Sequence, residues 1–512
     1  MSGAILCLDA GTTVVKAALF SADGTLMALE EEPNRALRRS GLLVEQDMAA
    51  TAAIAMALLG RLAERLDGRR PGVIVVTGQG DGLWPVDAAG GPAGPAMTWL
   101  DGRASALLPE LETAGALDHI RQVTLSQPTA ASQPLQLLWL ARHEPARFAA
   151  IHRALRCKEW LQLALTGAVL TDPSAVLPSW GDWQRQTLSR EIEACLGLAH
   201  GIDLLPDMVA MADAALPLSA AAAAATGLPH GLPVLLGPGD AQASALGLGI
   251  GLLPGISRVS LFGTSAIHIR HLTDLAEVRP EPPGAMLLPF VETGQFLRLM
   301  PSLNGAAALA HLAPLVGEAA AAPHQPSGLL VQSFFEPAGE RAPVTSPLAR
   351  SAVLGWTGGD EPAALAAAAR EGLAFAARMS HDLMGSEAGP VVLGGGLAAD
   401  ADFARIMAAV LGRPVLRPPM RHASLAGLGL VGLRHLSGGR LADHAGRWLA
   451  GSPLVDEPDD GPFGAYLSRK YALYATLMER IAPLWPDLAA VAALAERLRH
   501  PQHLQKTKDI SG

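Results

Sequence analysis

Two short stretches in opposite halves of the chain follow one plan: an apolar strand, a tight turn of glycine and hydroxyl residues, then a second strand. In the first, Ala4–Leu8 leads through Asp9–Thr13 into Val14–Phe20. In the second, Val259–Phe262 leads through Gly263-Thr264-Ser265 into Ala266–Ile269. A repeated supersecondary unit predicts two related α/β halves facing each other. The length agrees, since 512 residues exceed the roughly 250–300 at which a single hydrophobic core stops growing.

Around these units the pattern alternates between helix and strand. A long Ala/Leu helix is expected from Asp47, its N-cap, to Leu66. Strands are expected at Val73–Thr77, Pro233–Leu236 and Pro390–Leu393, and helices at Leu135–Arg142, Glu159–Thr166, Pro362–Met384 and Asp402–Leu411. The Gly- and Pro-bearing stretch Gly247–Gly255 marks a boundary. It gives an N-terminal domain over 1–247, a C-terminal domain over 248–441, and a helical appendage over 442–512 that frays at His500–Gly512.

Acidic residues outnumber basic ones, 48 to 39, which argues against a general nucleic-acid binder. Cys7, Cys157 and Cys195 show no CxxC spacing, so neither a disulfide framework nor a cysteine metal site is expected, and a reducing cytoplasm fits. Apolar runs such as Leu246–Leu253 fall short of the ~20 residues that span a bilayer. With no leader peptide evident, a soluble cytoplasmic protein without a membrane partner is expected.

Four constellations could carry chemistry. Asp9-Ala10-Gly11-Thr12-Thr13 can aim backbone N–H and hydroxyl groups at a phosphate, with the acid at its head available to Mg²⁺; the same residues also favour an ordinary hairpin turn. Gly237-Pro238-Gly239-Asp240 follows a strand and precedes a helix. A carboxylate there can take a proton from an attacking hydroxyl, or simply cap the helix. In Gly78-Gln79-Gly80-Asp81-Gly82-Leu83-Trp84 the glycines leave room for a ligand, Gln79 and Asp81 offer hydrogen bonds to hydroxyls, and Trp84 offers a flat wall. Asp101 and Arg103 of Trp99-Leu100-Asp101-Gly102-Arg103 could join that pocket or form a local salt-bridged turn. Gly394-Gly395-Gly396 would let a flat adenine or ribose approach the backbone, although a tight strand-to-helix turn would use them equally.

Other signals carry less. Gly427-Leu428-Gly429-Leu430-Val431-Gly432 matches GxGxxG but lies inside a continuous apolar helix, where packing is the expected role. There is no GxxxxGK[ST] loop and no HExxH; His268 with His271 is too sparse for a metal site, and Cys157 is expected in the core.

Taken in order, these pieces resemble the FGGY carbohydrate kinases. The resemblance spans about residues 4 to 435: LDAGTTVVKAALFSADG (8–24), EQD (45–47), TGQGDGLW (77–84), WLDGR (99–103), CKEWLQLALTG (157–167), TDPS (171–174), GPGDAQASALGLG (237–249), LFGTSA (261–266), GERAPVTSPLAR (339–350) and VLGGGLAAD (392–400). It implies two actin-like ATPase (ribonuclease H-like) domains with a cleft between them. It also implies ATP and Mg²⁺ as cofactors, a small sugar or polyol as substrate, and Asp240 as general base and, with Asp9, metal ligand. Gly11, Thr12, Thr13, Lys16, Gly263, Thr264, Gly305 and Gly394–Gly396 would face the nucleotide, and Gln79, Gly80, Asp81, Trp84 and Asp101 the sugar. Within the family, GQGDGLW and CKEWL…LTG…TDPS resemble members acting on erythritol, with L-xylulose next. Ala399 and Ala408 depart from the Asn or Ser and the Asp common at their positions. A homodimer is compatible with the sequence; a non-catalytic sensor or a nucleotide-hydrolysing motor on the same fold are the rival readings.

Overall fold

The computed structural model describes residues 3–211, 213–280, 284–317, 323–385, 388–420, 422–449 and 451–499; the fraying expected at His500–Gly512 lies outside them. Both repeated units form, and each founds a mixed sheet. In the first half Ala4–Ala10, Val14–Phe20 and Leu26–Pro33 make an antiparallel meander. Pro71–Gly78 then pairs parallel with the first strand, and Pro233–Leu236 pairs parallel with Pro71–Gly78. In the second half Arg258–Phe262, Ala266–Leu272 and Phe296–Ser302 repeat the meander. Val391–Gly395 and Val415–Arg417 repeat the two parallel additions. Parallel neighbours need long crossovers, and the helices between the strands supply them.

Strand alternation decides which face each helix covers. Leu6 and Leu8 join Leu58, Leu59 and Leu62 of the helix Met48–Glu64 in one core. Ile5 and Cys7 join Leu425, Leu428 and Val431 of the helix Ala423–Ser437 in another. Asp47 caps the first of these helices, accepting a hydrogen bond from the Ala50 N–H at 3.0 Å.

The helix Asp240–Gly247 follows the last parallel strand of the first sheet, and Ala423–Ser437 follows that of the second. These equivalent helices cross backbone to backbone. A Cβ on Gly427 would lie 1.9 Å from the Ala243 carbonyl oxygen, and one on Gly247 1.8 Å from that of Ala423. The glycine-rich run is thus a packing device, as expected; Gly429 makes room for the Trp448 ring and Gly432 for Ile5.

The segment beyond 441 is largely helical, yet it is built into both halves rather than appended to them. Trp448 packs on Phe20 with ring centroids 5.4 Å apart. Leu454–Asp456 adds an antiparallel strand beside Val415–Arg417. Leu467, Tyr474 and Met478, spaced along one face of Pro462–Ile481, enter the core of the second half beside Phe262, Phe375 and Phe403. Lys470 on that helix forms an ion pair with the buried Glu371.

Candidate active site

Asp240 opens its helix where strand Pro233–Leu236 ends. It is not the cap: Gly239 holds that place, and Asp240 Oδ1 accepts from the Ala241 N–H at 2.8 Å. Burial and the nearby Asp9 carboxylate push the Asp240 pKa up to about 6, with a smaller push from Asp81. Hydrogen bonds from the Ala241 and Gly80 backbones work against that rise. Gly80 is exposed, and a Cβ there would stand 3.2 Å from Asp240 Oδ1. Asp9, Gly80, Asp81 and Asp240 therefore share one locus.

Asp9 ends the first strand. Its Oδ2 accepts from Ser424 Oγ at 2.6 Å, while Oδ1 is buried and accepts no hydrogen bond. Burial raises its pKa; the Ser424 hydroxyl and the charge of Lys16 oppose the rise. Lys16 faces Asp9 across the hairpin and pairs with Glu31 at 3.3 Å.

The loop carrying Asp240 is pinned from below. Gly237 N–H donates to the Val76 carbonyl at 2.8 Å, the Pro238 carbonyl accepts from Thr77 Oγ1 at 2.6 Å, and Gly239 N–H donates to Gln242 Oε1 at 2.9 Å. Lys158, buried, donates at 2.7 Å to each of Asp172 Oδ2, Ser174 Oγ and the Gly237 carbonyl. The CKEW and TDPS stretches thus act beneath the site. Cys157 is buried in the core, as expected, with its thiol pKa raised by burial.

On the sugar side the residues divide. Asp81 adopts a left-handed φ of 52° and is met by Arg156 Nη1 at 3.4 Å. Gln79 is buried: it donates to Gln46 Oε1 at 2.7 Å and accepts from Thr12 Oγ1 at 3.3 Å, so its polar atoms hold the Asp9–Thr13 turn rather than facing outward. Two further expectations on this side need correcting. Trp84 is 0% exposed, because its strand Trp84–Val86 pairs with Arg153–Leu155 inside the first core and leaves no face to a ligand. Asp101, 2% exposed, is consumed by the Val44 N–H at 2.9 Å and the Arg103 guanidinium at 3.0 Å. The WLDGR acid is thus a local salt-bridged turn.

Trp99, which sequence reasoning passed over as a flat wall, is the tryptophan of these two that keeps an accessible face. Trp99 is half-buried, and its indole N–H donates to Thr12 Oγ1 at 2.8 Å. Its place two residues before the Asp101–Arg103 pair was the available signal.

On the nucleotide side Gly263 and Thr264 are exposed in their turn. Gly305 passes so close beneath that a Cβ would lie 2.3 Å from the Ser265 carbonyl oxygen. Gly395 and Gly396 are exposed, and Gly395 has φ 84° with no room for a side chain. Gly394 is buried against Leu248 and Leu261, so its part is packing. Ala399 is exposed beyond that turn, whereas Ala408 is 0% exposed in the core of the second half, away from any ligand. Among the described residues no group of three or more His, Cys, Asp or Glu side chains is placed to hold a metal; His268 instead meets Ser260 Oγ at 3.0 Å.

Comparison with known proteins decides the affiliation. The N-terminal domain of the FGGY family of carbohydrate kinases matches residues 4–247, and the family's C-terminal domain matches 294–435. The chain belongs to the FGGY carbohydrate kinases. It is 28% identical to the erythritol kinase of Brucella abortus across 95% of this chain and 98% of that one. It is 29% identical to the xylulose kinase of Streptomyces coelicolor across 76% and 79%. The ligand-bound crystal structure of a xylulose kinase from Lactobacillus acidophilus superposes with a TM-score of 0.85, at 18% identity, over 95% of this chain and 99% of that one. An FGGY kinase is a phosphotransferase, with ATP as donor and a small sugar or related alcohol as acceptor. Its fold is the two-domain, actin-like ATPase fold that the two matching sheets display.

Proposed function

We propose that this FGGY kinase transfers the γ-phosphoryl group of ATP to a terminal hydroxyl of erythritol, with Asp240 as general base. One observation carries the reading: a carboxylate with its pKa near 6 stands at a strand end beside the exposed Gly80 and the Asp81 carboxylate. Such a group is ionised at neutral pH yet basic enough to accept a proton. As the acceptor oxygen bonds to the γ-phosphorus, its proton passes to Asp240 and the bond to the ADP oxygen breaks.

The chain's other residues position the partners. Gly11 and Thr12 present N–H donors to phosphate oxygens, Thr13 adds its hydroxyl, and Thr264 presents both from the second half. Gly305, Gly395 and Gly396 border the nucleoside. Gly80 admits the acceptor to the base, Asp81 accepts from its hydroxyls, and Trp99 closes one side. The orphaned Asp9 Oδ1 fits a Mg²⁺ ion brought in on ATP, which Asp9 and Asp240 would hold. When bound, that ion neutralises charge building on the phosphates. Cytoplasmic location belongs to the same reading and rests on three cysteines, none of them disulfide-bonded.

Full-length likeness to an erythritol kinase supports a tetritol acceptor; likeness to xylulose kinases makes a pentulose the competing one, and the sequence motifs favour L-xylulose among them. Coupled ADP release with Mg-ATP and erythritol, L-xylulose, D-xylulose, D-ribulose or glycerol tests the assignment. Preference for erythritol is expected. A preferred pentulose would keep the chemistry and replace the substrate. No turnover with any acceptor, despite sound folding and nucleotide binding, would favour a sensor.

A further inference from the structure

The second half sends a side chain across to Trp99, proposed above to close one side of the acceptor site. Arg341, in the GERAP stretch, donates from Nη2 to the Trp99 carbonyl at 3.0 Å, and its guanidinium carbon lies 5.6 Å from the centre of the Trp99 ring. The two residues are 242 positions apart. Arg341 therefore holds Trp99 in two ways at once, through the main chain and over the face of the indole.

Arg341 is itself anchored by its neighbour. Glu340 is 2% exposed and accepts four hydrogen bonds, each 2.8 Å: from Ser302 Oγ, the Leu303 N–H, Asn304 Nδ2 and the Arg341 N–H. Three of those donors immediately precede Gly305, the residue tucked under the Gly263–Ser265 turn. At the other end, Trp99 continues through Thr12 and Gln79 to Gln46. A hydrogen-bonded line thus runs from the nucleotide-side turn, through Glu340 and Arg341, to Trp99 and the phosphate turn of the sugar side.

We infer that Arg341 is a positioning residue for the acceptor: from the nucleotide half it sets the place of Trp99, and through it the shape of the sugar pocket. The inference rests on the kinase reading above for its substrate, but the contact it describes stands apart from turnover. A guanidinium suits the task because it can bond a carbonyl in its plane while lying over a ring. A lysine could keep the charge but not both contacts.

The test compares wild type with Arg341→Met, Arg341→Lys and Trp99→Phe, on protein shown by thermal unfolding to be folded. In Arg341→Met the acceptor KM should rise about tenfold or more, as expected for losing a charged hydrogen bond, while the ATP KM stays within twofold. Arg341→Lys should recover part of the loss. The Arg341→Met/Trp99→Phe pair should lose less than the sum of the two single losses, since both changes disturb the guanidinium–indole contact. Without any ligand, amide exchange across residues 99–103 should quicken in Arg341→Met. An acceptor KM and exchange rates unchanged from wild type would overturn the inference. If wild type phosphorylates none of the acceptors, the kinase reading fails by itself, and the exchange measurement alone decides whether Arg341 fixes Trp99.

Discussion

The Lys158 ammonium lies 2.7 Å from the carbonyl oxygen of Gly237, three residues before Asp240, the proposed base. The same ammonium meets Asp172, which is 0% exposed. Removing it leaves a buried carboxylate without its cation, a change that costs about 3–5 kcal/mol. Lys158→Met should lower the unfolding midpoint accordingly. Lys158→Met/Asp172→Asn should recover most of that stability in denaturant titration but not kcat, because the Gly237 carbonyl stays unpinned. Full recovery of kcat in the pair would show that the lysine serves stability alone.

Asp240→Asn should reduce kcat about 10²- to 10⁴-fold, the usual scale of general-base catalysis, with ADP affinity kept in calorimetry. In wild type kcat/KM should fall tenfold per pH unit below about 6, where Asp240 becomes protonated. Stability runs the other way. The folded pKa is raised above 3.8, so the contribution of this group is fully present below that value and lost as pH rises through about 6. Asparagine removes the cost of the buried charge, and the variant should be more stable at pH 7.5, by on the order of 1 kcal/mol once partial exposure is allowed for.

Gly427→Ala places a methyl group 1.9 Å from the Ala243 carbonyl oxygen and must part the crossing helices. A loss of about 1–3 kcal/mol is expected, with a fall in kcat, since one helix begins at Asp240 and the other carries Ser424 to Asp9. Gly446→Ala, where a Cβ meets nothing within 4 Å, is the control. Thermal unfolding of the two variants separates them.

Most of the fold and much of the site could be read from residue order. Hydrophobic alternation marked both meanders, and glycine with hydroxyl residues at strand ends marked both turns, because such turns demand those residue types locally. Failure came where a role depends on the far side of the molecule. Trp84 and Trp99 look alike in sequence as aromatic residues near glycines; only the pairing of Trp84–Val86 with Arg153–Leu155 sends one inside. Asp101 looked available because its partner Val44 lies 57 residues away. Lys158 likewise gave no local sign of its hold on Gly237, 79 residues on.

The two tryptophans supply a contrast. Trp84→Ala should cost about 3–5 kcal/mol of stability while leaving the acceptor KM of the folded protein within twofold. Trp99→Ala should raise the acceptor KM about tenfold or more with little loss of stability, being half-buried and held chiefly by polar contacts. Steady-state kinetics beside urea titration would reverse the assignment if the effects were exchanged.

Ser424 and Asp9, joined at 2.6 Å, are 415 positions apart, and the helix bearing Ser424 covers the Ile5–Cys7 face of the first sheet. During synthesis the opening strands leave the ribosome long before that helix exists. The N-terminal half must therefore wait with an apolar face uncovered, a state prone to misassociation and suited to chaperone holding. Dividing the gene after Gly247 would leave the first sheet without the helix that covers this face, so the two fragments are expected to need each other to fold.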